Sequence, residues 1–255
     1  MVTSVAVAGK GGTGKSTIAS LMVLDLVARG ATPVLAVDAD PDANLTALLG
    51  MPGGNSIADL REDMRKKMKD FPAGMSKAQY MEAGLHQLID EGQGFDLVTM
   101  GRGEGAGCYC YLNSLIRKFS DDLVPSYRWV VMDNEAGLEH ISRRTSTSVD
   151  ALIAVVTDNP LSFACAAKIA AIARAIENPV LSLCVVSSQV REDRLSRVRE
   201  RIAALPMKYL GDVPHDPALE EIVYAGRSLA ELGPSPVKDA IHAVIDSIGG
   251  AHGSP

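Results

Sequence analysis

The sequence predicts an α/β protein, a mostly parallel twisted sheet of about seven strands with helices on both faces. Three observations carry that class. Short apolar runs alternate with longer helical stretches along the 255 residues. The runs are continuous rather than alternating, as in strands buried on both faces. The first of them, Val5-Ala6-Val7-Ala8, feeds a glycine-rich turn that opens directly into a helical run from Ser16 to Arg29. The length suits a single domain over 1–255, with ample chain to bury a core.

Taken in order, strands are expected over Thr3–Ala8, Pro33–Val37, Leu97–Met100, Trp129–Met132, Ala151–Val156 and Leu181–Val186. A weaker seventh is expected near Tyr209–Leu210. The first helix, Ile18 to Val27, is apolar nearly all round and should be buried. Residues Asn55 to Gly94 read as helical and polar, with charges clustered in Arg61–Asp70; 56–94 is a flap or partner surface within the domain. A further helix is expected from about Leu112 to Phe119. In the helix from Glu192 to Leu205, Leu195, Val198, Ile202 and Leu205 share one face, while Arg194, Arg197 and Arg201 point to solvent. The tail helix, Pro236 to Ile248, places Val237, Ile241, Val244, Ile245 and Ile248 on one side. It has no basic surplus, so it reads as docked on the domain rather than as a membrane-targeting tail.

The turn Gly9-Lys10-Gly11-Gly12-Thr13-Gly14-Lys15-Ser16 fits G-x-x-x-x-G-K-[ST] in its required strand–loop–helix context. Glycine backbone wraps a phosphate chain with N–H donors because no Cβ intervenes, and the helix aims its positive end at the same charge. Gly9, Gly11, Gly12, Thr13, Gly14, Lys15, Ser16 and Thr17 are therefore candidate nucleotide-binding residues. Lys15 is expected on the β- and γ-phosphates, and the Ser16 hydroxyl on Mg²⁺. The second lysine, Lys10, resembles the signature lysine of the deviant P-loop ATPases, the class of MinD, ParA and the nitrogenase iron protein. That resemblance implies two protomers sandwiching two nucleotides, with Lys10 reaching the partner's phosphates as an arginine finger does.

Two further stretches complete a nucleotide site. Trp129-Val130-Val131-Met132-Asp133 is an apolar strand ending in an acid, the form of a Walker B aspartate that holds Mg²⁺. Gly137, just beyond it, offers a backbone N–H to the γ-phosphate as a switch. Asp38-Ala39-Asp40-Pro41 closes the second strand; Asp38 is assigned to the Mg²⁺ side and Asp40 to orienting the attacking water. Members of the resembled class read adenine with an Asn at the end of a late strand. Here that strand ends Val185-Val186-Ser187-Ser188-Gln189, so Gln189 is the candidate substitute, with Pro214 in the later loop Gly211–Asp216 beside the base.

Cys108-Tyr109-Cys110 follows the glycine loop Gly103–Gly107. Thiols two apart in such a loop can reach one soft metal ion, but two thiolates are half of a four-donor set. A second copy across a two-fold axis would complete it. Two small buried cysteines or a chance spacing are the alternatives, while Cys165 and Cys184 read as core. A formal net charge of −6 argues against a nucleic-acid partner bound by a basic face. No apolar run is long enough to span a membrane, and nothing at the start reads as a signal peptide. The expectation is a cytoplasmic protein with reduced thiols.

Lys10–Ser16, Asp38-Ala39-Asp40-Pro41, Cys108-Tyr109-Cys110 and Asn134-Glu135-Ala136-Gly137-Leu138-Glu139-His140 occur in this order. With them the chain resembles, over essentially its whole length, the CooC-type ATPases, nickel-insertion accessory proteins of carbon monoxide dehydrogenase. The resemblance implies a homodimer that closes on ATP, holds Ni²⁺ or Zn²⁺ between paired Cys108 and Cys110, and releases metal to apo-dehydrogenase after hydrolysis to ADP. Two rivals stand beside it. A nitrogenase-reductase-like electron carrier calls for a cysteine soon after the Walker B strand, and none lies between Asp133 and Asp158. A positioning ATPase of the MinD or ParA kind calls for a cationic tail or basic face.

Overall fold

The computed structural model describes residues 2–67, 76–101, 121–135, 149–175 and 180–249. Its strands are β1 (Thr3–Gly9), β2 (Val34–Ala39), β3 (Ile89–Glu91), β4 (Phe95–Thr99), β5 (Trp129–Asn134), β6 (Val149–Val156), β7 (Val180–Ser188) and β8 (Lys208–Val213). The α-helices among the described residues are α1 (Lys15–Ala28), α2 (Asn44–Leu48), α3 (Ile57–Lys67), α4 (Lys77–His86), α5 (Pro160–Ala175), α6 (Leu195–Ala203), α7 (Pro217–Tyr224) and α8 (Pro236–Gly249). The strands build one eight-stranded sheet in the order β3-β4-β2-β5-β1-β6-β7-β8. Every pairing is parallel except β3 with β4.

The period of two along each strand decides which side chain meets which helical layer. On β1, Val5 and Val7 join a core with Ile18, Met22 and Leu26 of α1 and Ile241, Val244 and Ile245 of α8. Ala6 and Ala8 face the opposite layer, where Ile57, Leu85 and Ile169 from α3, α4 and α5 pack. Farther along the sheet that layer continues through Val198 and Ile202 of α6. All four β1 residues are wholly buried. At about 1.5–3 kcal/mol for each large apolar side chain removed from water, these two layers are the main source of stability.

Among the described residues eight strands stand where about seven were expected. The addition is β3, whose Ile89-Asp90-Glu91 is too short and too polar to read as a strand. It pairs antiparallel with β4 and stands at one end of the strand order, which makes it an edge. The weak seventh strand near Tyr209–Leu210 is β8, running over Lys208–Val213. The expected helix from Glu192 is a 3₁₀ turn, Glu192–Arg194, followed by α6. Its apolar face holds, with Val198 and Ile202 buried and Leu195 and Leu205 partly so. Arg194 and Arg201 do not merely point to water: Arg194 pairs with Asp158 at 2.6 Å, and Arg201 lies over the Phe163 ring at 5.5 Å. Cys184 is buried, whereas Cys165 is only half-buried. The helix expected over Leu112–Phe119 lies outside the described residues.

Candidate nucleotide site

Parallel pairing brings the ends of β1, β2, β5, β7 and β8 to one edge of the sheet, the edge where ligands bind in open α/β proteins. β1 leaves the sheet at Gly9, and α1 begins at Lys15. Between them the Thr13 hydroxyl and N–H both donate to the Lys10 carbonyl, at 2.8 and 3.3 Å, and close the turn. Gly14 caps α1 at φ 87°, in the left-handed region, where glycine carries no steric penalty. A Cβ on Gly9 would meet the Val155 carbonyl oxygen of β6 at 2.8 Å, so this first glycine is required by strand packing.

Three aspartates face this loop. Register aligns Asp38 of β2 with Asp133 of β5, and Asp133 with Val7 of β1, so both carboxylates stand on the α1 side of the sheet. Both lie within their strands rather than after them, and both are wholly buried. Asp38 is engaged by the chain itself: Oδ2 accepts from the Leu45 N–H at 2.9 Å and Oδ1 from the Asp40 N–H at 3.3 Å. Asp40 accepts from the Asp42 N–H at 3.1 Å and pairs with the Lys15 ammonium, Oδ2 to Nζ 3.6 Å. Asp133 differs, because neither of its buried oxygens has a hydrogen-bond partner of standard geometry. The Oδ1 of the neighbouring Asn134 is likewise unpartnered.

Electrostatics follow from that burial. Asp38 is pushed up to about 7, first by burial and then by the Asp133 carboxylate, against the opposing Leu45 and Asp40 N–H groups. Burial pushes Asp133 up to about 6, while the Ser16 hydroxyl and the Lys15 ammonium pull it back. Two buried carboxyls on adjacent strands repel as anions, and a divalent cation reverses that sign. The residues fit Mg²⁺ on this ground: an unsatisfied buried carboxylate lies beside a P-loop hydroxyl. Among the described residues, no group of three or more His, Cys, Asp or Glu side chains is arranged to hold a metal. A site with one or two carboxylates, a hydroxyl, phosphates and water suits Mg²⁺, which keeps much of its own hydration.

Two adjoining cavities open at this edge. One, of about 390 Å³, is lined by Gly11, Gly12 and Gly14 to Thr17 of the P-loop, by Asp40, Asp42 and Asn44, and by Val223, Gly226 and Arg227. The other, of about 310 Å³, shares Thr17 and Val223 with it and adds Gln189, His215, Asp216, Leu219, Glu220 and Tyr224. Gln189 is held at φ 55° with its N–H on the Val213 carbonyl at 2.9 Å. Its amide nitrogen lies 3.8 Å from where a Gly14 Cβ would stand. Gln189 therefore reaches the second cavity; Pro214 itself does not line it, but the next residues, His215 and Asp216, do. Asp216 caps α7, accepting from the Ala218 and Leu219 N–H groups. Gly137, Cys108 and Cys110 lie outside the described residues.

Sequence reasoning missed Asp42, Asn44, Val223 and Arg227. The first two lay in view, one turn beyond Asp40, and the left-handed Ala43 that turns them inward is not a residue type that signals such a turn. The other two come from a helix end some two hundred positions away, which no local pattern connects to the loop.

Strand, glycine loop, buried lysine and paired acids define a P-loop nucleoside triphosphatase. The chain belongs to the CobQ/CobB/MinD/ParA nucleotide-binding family, whose model matches residues 4–229, and it is an ATPase of that family. Over 246 residues it is 32% identical to an uncharacterized ATP-binding protein of Methanocaldococcus jannaschii, covering 96% of each chain. It is 29% identical to the carbon monoxide dehydrogenase accessory protein CooC of Rhodospirillum rubrum, over 96% of this chain and 95% of that one. The MinD cell division protein of Aquifex aeolicus shares the fold at a TM-score of 0.71 and 17% identity, over 98% of this chain and 97% of that one.

Proposed function

We propose that the protein is an ATP-driven metallochaperone that works as a homodimer and delivers Ni²⁺ or Zn²⁺ to a nickel enzyme, with apo carbon monoxide dehydrogenase as client. One observation carries the finer part: Cys108-Tyr109-Cys110 stands in a chain 29% identical, over 96% of its length, to a carbon monoxide dehydrogenase accessory protein. The metal is cargo in this reading, held by Cys108 and Cys110 of one protomer and the same pair of a second copy.

Lys15 rests on Asp40. Phosphates entering the loop draw the Lys15 ammonium to the β- and γ-oxygens, because a charge-assisted contact to a polyanion is stronger than a 3.6 Å ion pair. Asp40 is thereby released to orient water in line with the γ-phosphorus. The water oxygen bonds to phosphorus as the bond to the ADP oxygen breaks, giving ADP and phosphate. Ser16, Asp38 and Asp133 would hold Mg²⁺, which when bound would neutralise charge on the phosphate oxygens. Lys10 acts from the partner's side, and the Gly137 N–H reports whether the γ-phosphate is present. Its loss changes how two protomers meet, which splits a four-thiolate site and frees the metal. Residues 56–94 are a flap or a surface for a client in this reading.

The test is a Ni²⁺ titration of reduced, metal-free protein, with mass followed by light scattering, beside Cys108→Ser/Cys110→Ser. One metal per two chains, coupled to dimerisation and lost in the variant, is expected. If both proteins dimerise equally with ATP and neither retains metal, the chaperone reading fails and a positioning ATPase replaces it.

A further inference from the structure

The cavity around the P-loop has a third wall that the hydrolytic scheme leaves unused. Its cationic lining is Lys15, which Asp40 already engages, and Arg227. Asp40 and Asp42 line it as well. The charges of these four cancel, so a nucleotide polyanion gains most there from a cation that can turn towards it.

Arg227 has a fixed root and a loose tip. α7 ends in a Schellman motif: Gly226 takes φ 64°, its N–H donates to Val223 at 3.1 Å, and the Arg227 N–H donates to Ile222 at 3.0 Å. One residue on, Ser228 lies so close to Gly50 that a Cβ there would meet it at 2.8 Å. The Ser228 hydroxyl also donates to the Leu48 carbonyl of α2 at 3.4 Å. The backbone carrying Arg227 is thus clamped from both sides against the segment that follows Asp38 and Asp40. Its guanidinium instead pairs with Glu231 at 2.7 Å, with both side chains 48% exposed. An exposed pair four residues apart holds its partners weakly, whereas a guanidinium on phosphate makes short, charge-assisted, often bidentate bonds.

We propose that Arg227 is a further nucleotide-binding residue, which exchanges Glu231 for the phosphate chain of ATP in the cavity that it lines together with Lys15. The exchange moves no backbone, since the Schellman turn and the Ser228 contacts already fix it. Its contribution goes to phosphates rather than to the base, because Arg227 lines the P-loop cavity and not the one lined by Gln189.

The experiment measures dissociation constants of the full chain for Mg²⁺–AMP-PNP and for adenosine by calorimetry, at two salt concentrations, in wild type, Arg227→Gln, Glu231→Gln and Lys15→Gln. Arg227→Gln is expected to weaken AMP-PNP about 10-fold and flatten its salt dependence, with adenosine and the melting temperature unchanged. Glu231→Gln is expected to match or tighten wild-type binding, since it only releases the arginine. If Arg227→Gln and Glu231→Gln weaken AMP-PNP alike, the pair is a structural contact and the proposal falls. It falls too if Arg227→Gln binds as wild type while Lys15→Gln does not. Binding that survives Lys15→Gln overturns the site itself along with Arg227.

Discussion

Replacing Asp133 with asparagine separates what the buried carboxylates do for ATP from what they do to the fold. Asp38 at about 7 and Asp133 at about 6 both sit far above their unfolded value of 3.8. A carboxyl raised on folding holds its proton in the native state after the unfolded chain has lost it. Its stabilisation is therefore full below pH 3.8 and is lost as pH rises through the folded pKa. Between about pH 5 and pH 8, at roughly 1.36 kcal/mol per unit, Asp38 gives up about 3 kcal/mol and Asp133 about 1 kcal/mol. The introduced amide cannot ionise, and losing the carboxylate also removes the second cause of the Asp38 shift. The variant should lose roughly 2 kcal/mol over that interval where wild type loses about 4. A buried amide without partners adds a cost of about 1–3 kcal/mol, but that cost does not vary with pH, so the slope isolates the ionisation. Urea unfolding of the nucleotide-free protein in chelator, at half-unit steps, reads it directly. Parallel curves for the two proteins would refute the account of two mutually repelling buried acids. The same variant should fail in Mg²⁺-dependent ATP hydrolysis, leaving a chain whose stability varies less with pH but which turns over no ATP.

Asp40→Asn removes the acid that holds Lys15 and is assigned to the attacking water. ATP binding should persist within a few-fold, while single-turnover hydrolysis falls about 100-fold or more; an unchanged rate removes Asp40 from that role. Gly9→Ala places a Cβ 2.8 Å from the Val155 oxygen and 3.1 Å from the Thr13 hydroxyl. A destabilisation of about 1–3 kcal/mol by thermal unfolding is expected, together with weaker nucleotide binding. A melt indistinguishable from wild type would show that β1 and β6 separate at that point.

The central strands were legible because burial on both faces leaves little but Val, Ala, Leu and Ile. β1, β2, β5, β6 and β7 fall where apolar runs predict them, with ends that reach one or two residues further. Those extensions carry Asp38 and Asp133 one residue inside their strand ends, which fall at Ala39 and Asn134. Whether a strand stops before or after a terminal aspartate is decided by its neighbour's ladder, and a single strand's residues do not carry that information. Edge strand β3 was invisible because three residues with two acids have no strand signature. The phosphate side of the site was legible as a motif, for the chemistry needs glycine, lysine and serine at fixed spacing. The wall formed by Val223 and Arg227 was not, because it depends on how the end of α7 docks against α2, a tertiary arrangement with no local spacing.

Strand order has a consequence for how the protein is made. β1 is the first strand of the chain, yet its two neighbours are β5 and β6, which begin at Trp129 and Val149. A ribosome must therefore release well over a hundred residues before Val5-Ala6-Val7-Ala8 finds either side of its ladder. The earliest pairings available are those of β4 with β2 and β3, which lie beyond β5 from the P-loop strand in the finished sheet. Such late, non-local closure slows folding and leaves an apolar strand unprotected meanwhile. The nascent chain thus carries its phosphate-binding loop well before β8 and the helix α7 emerge to wall the two cavities beside it.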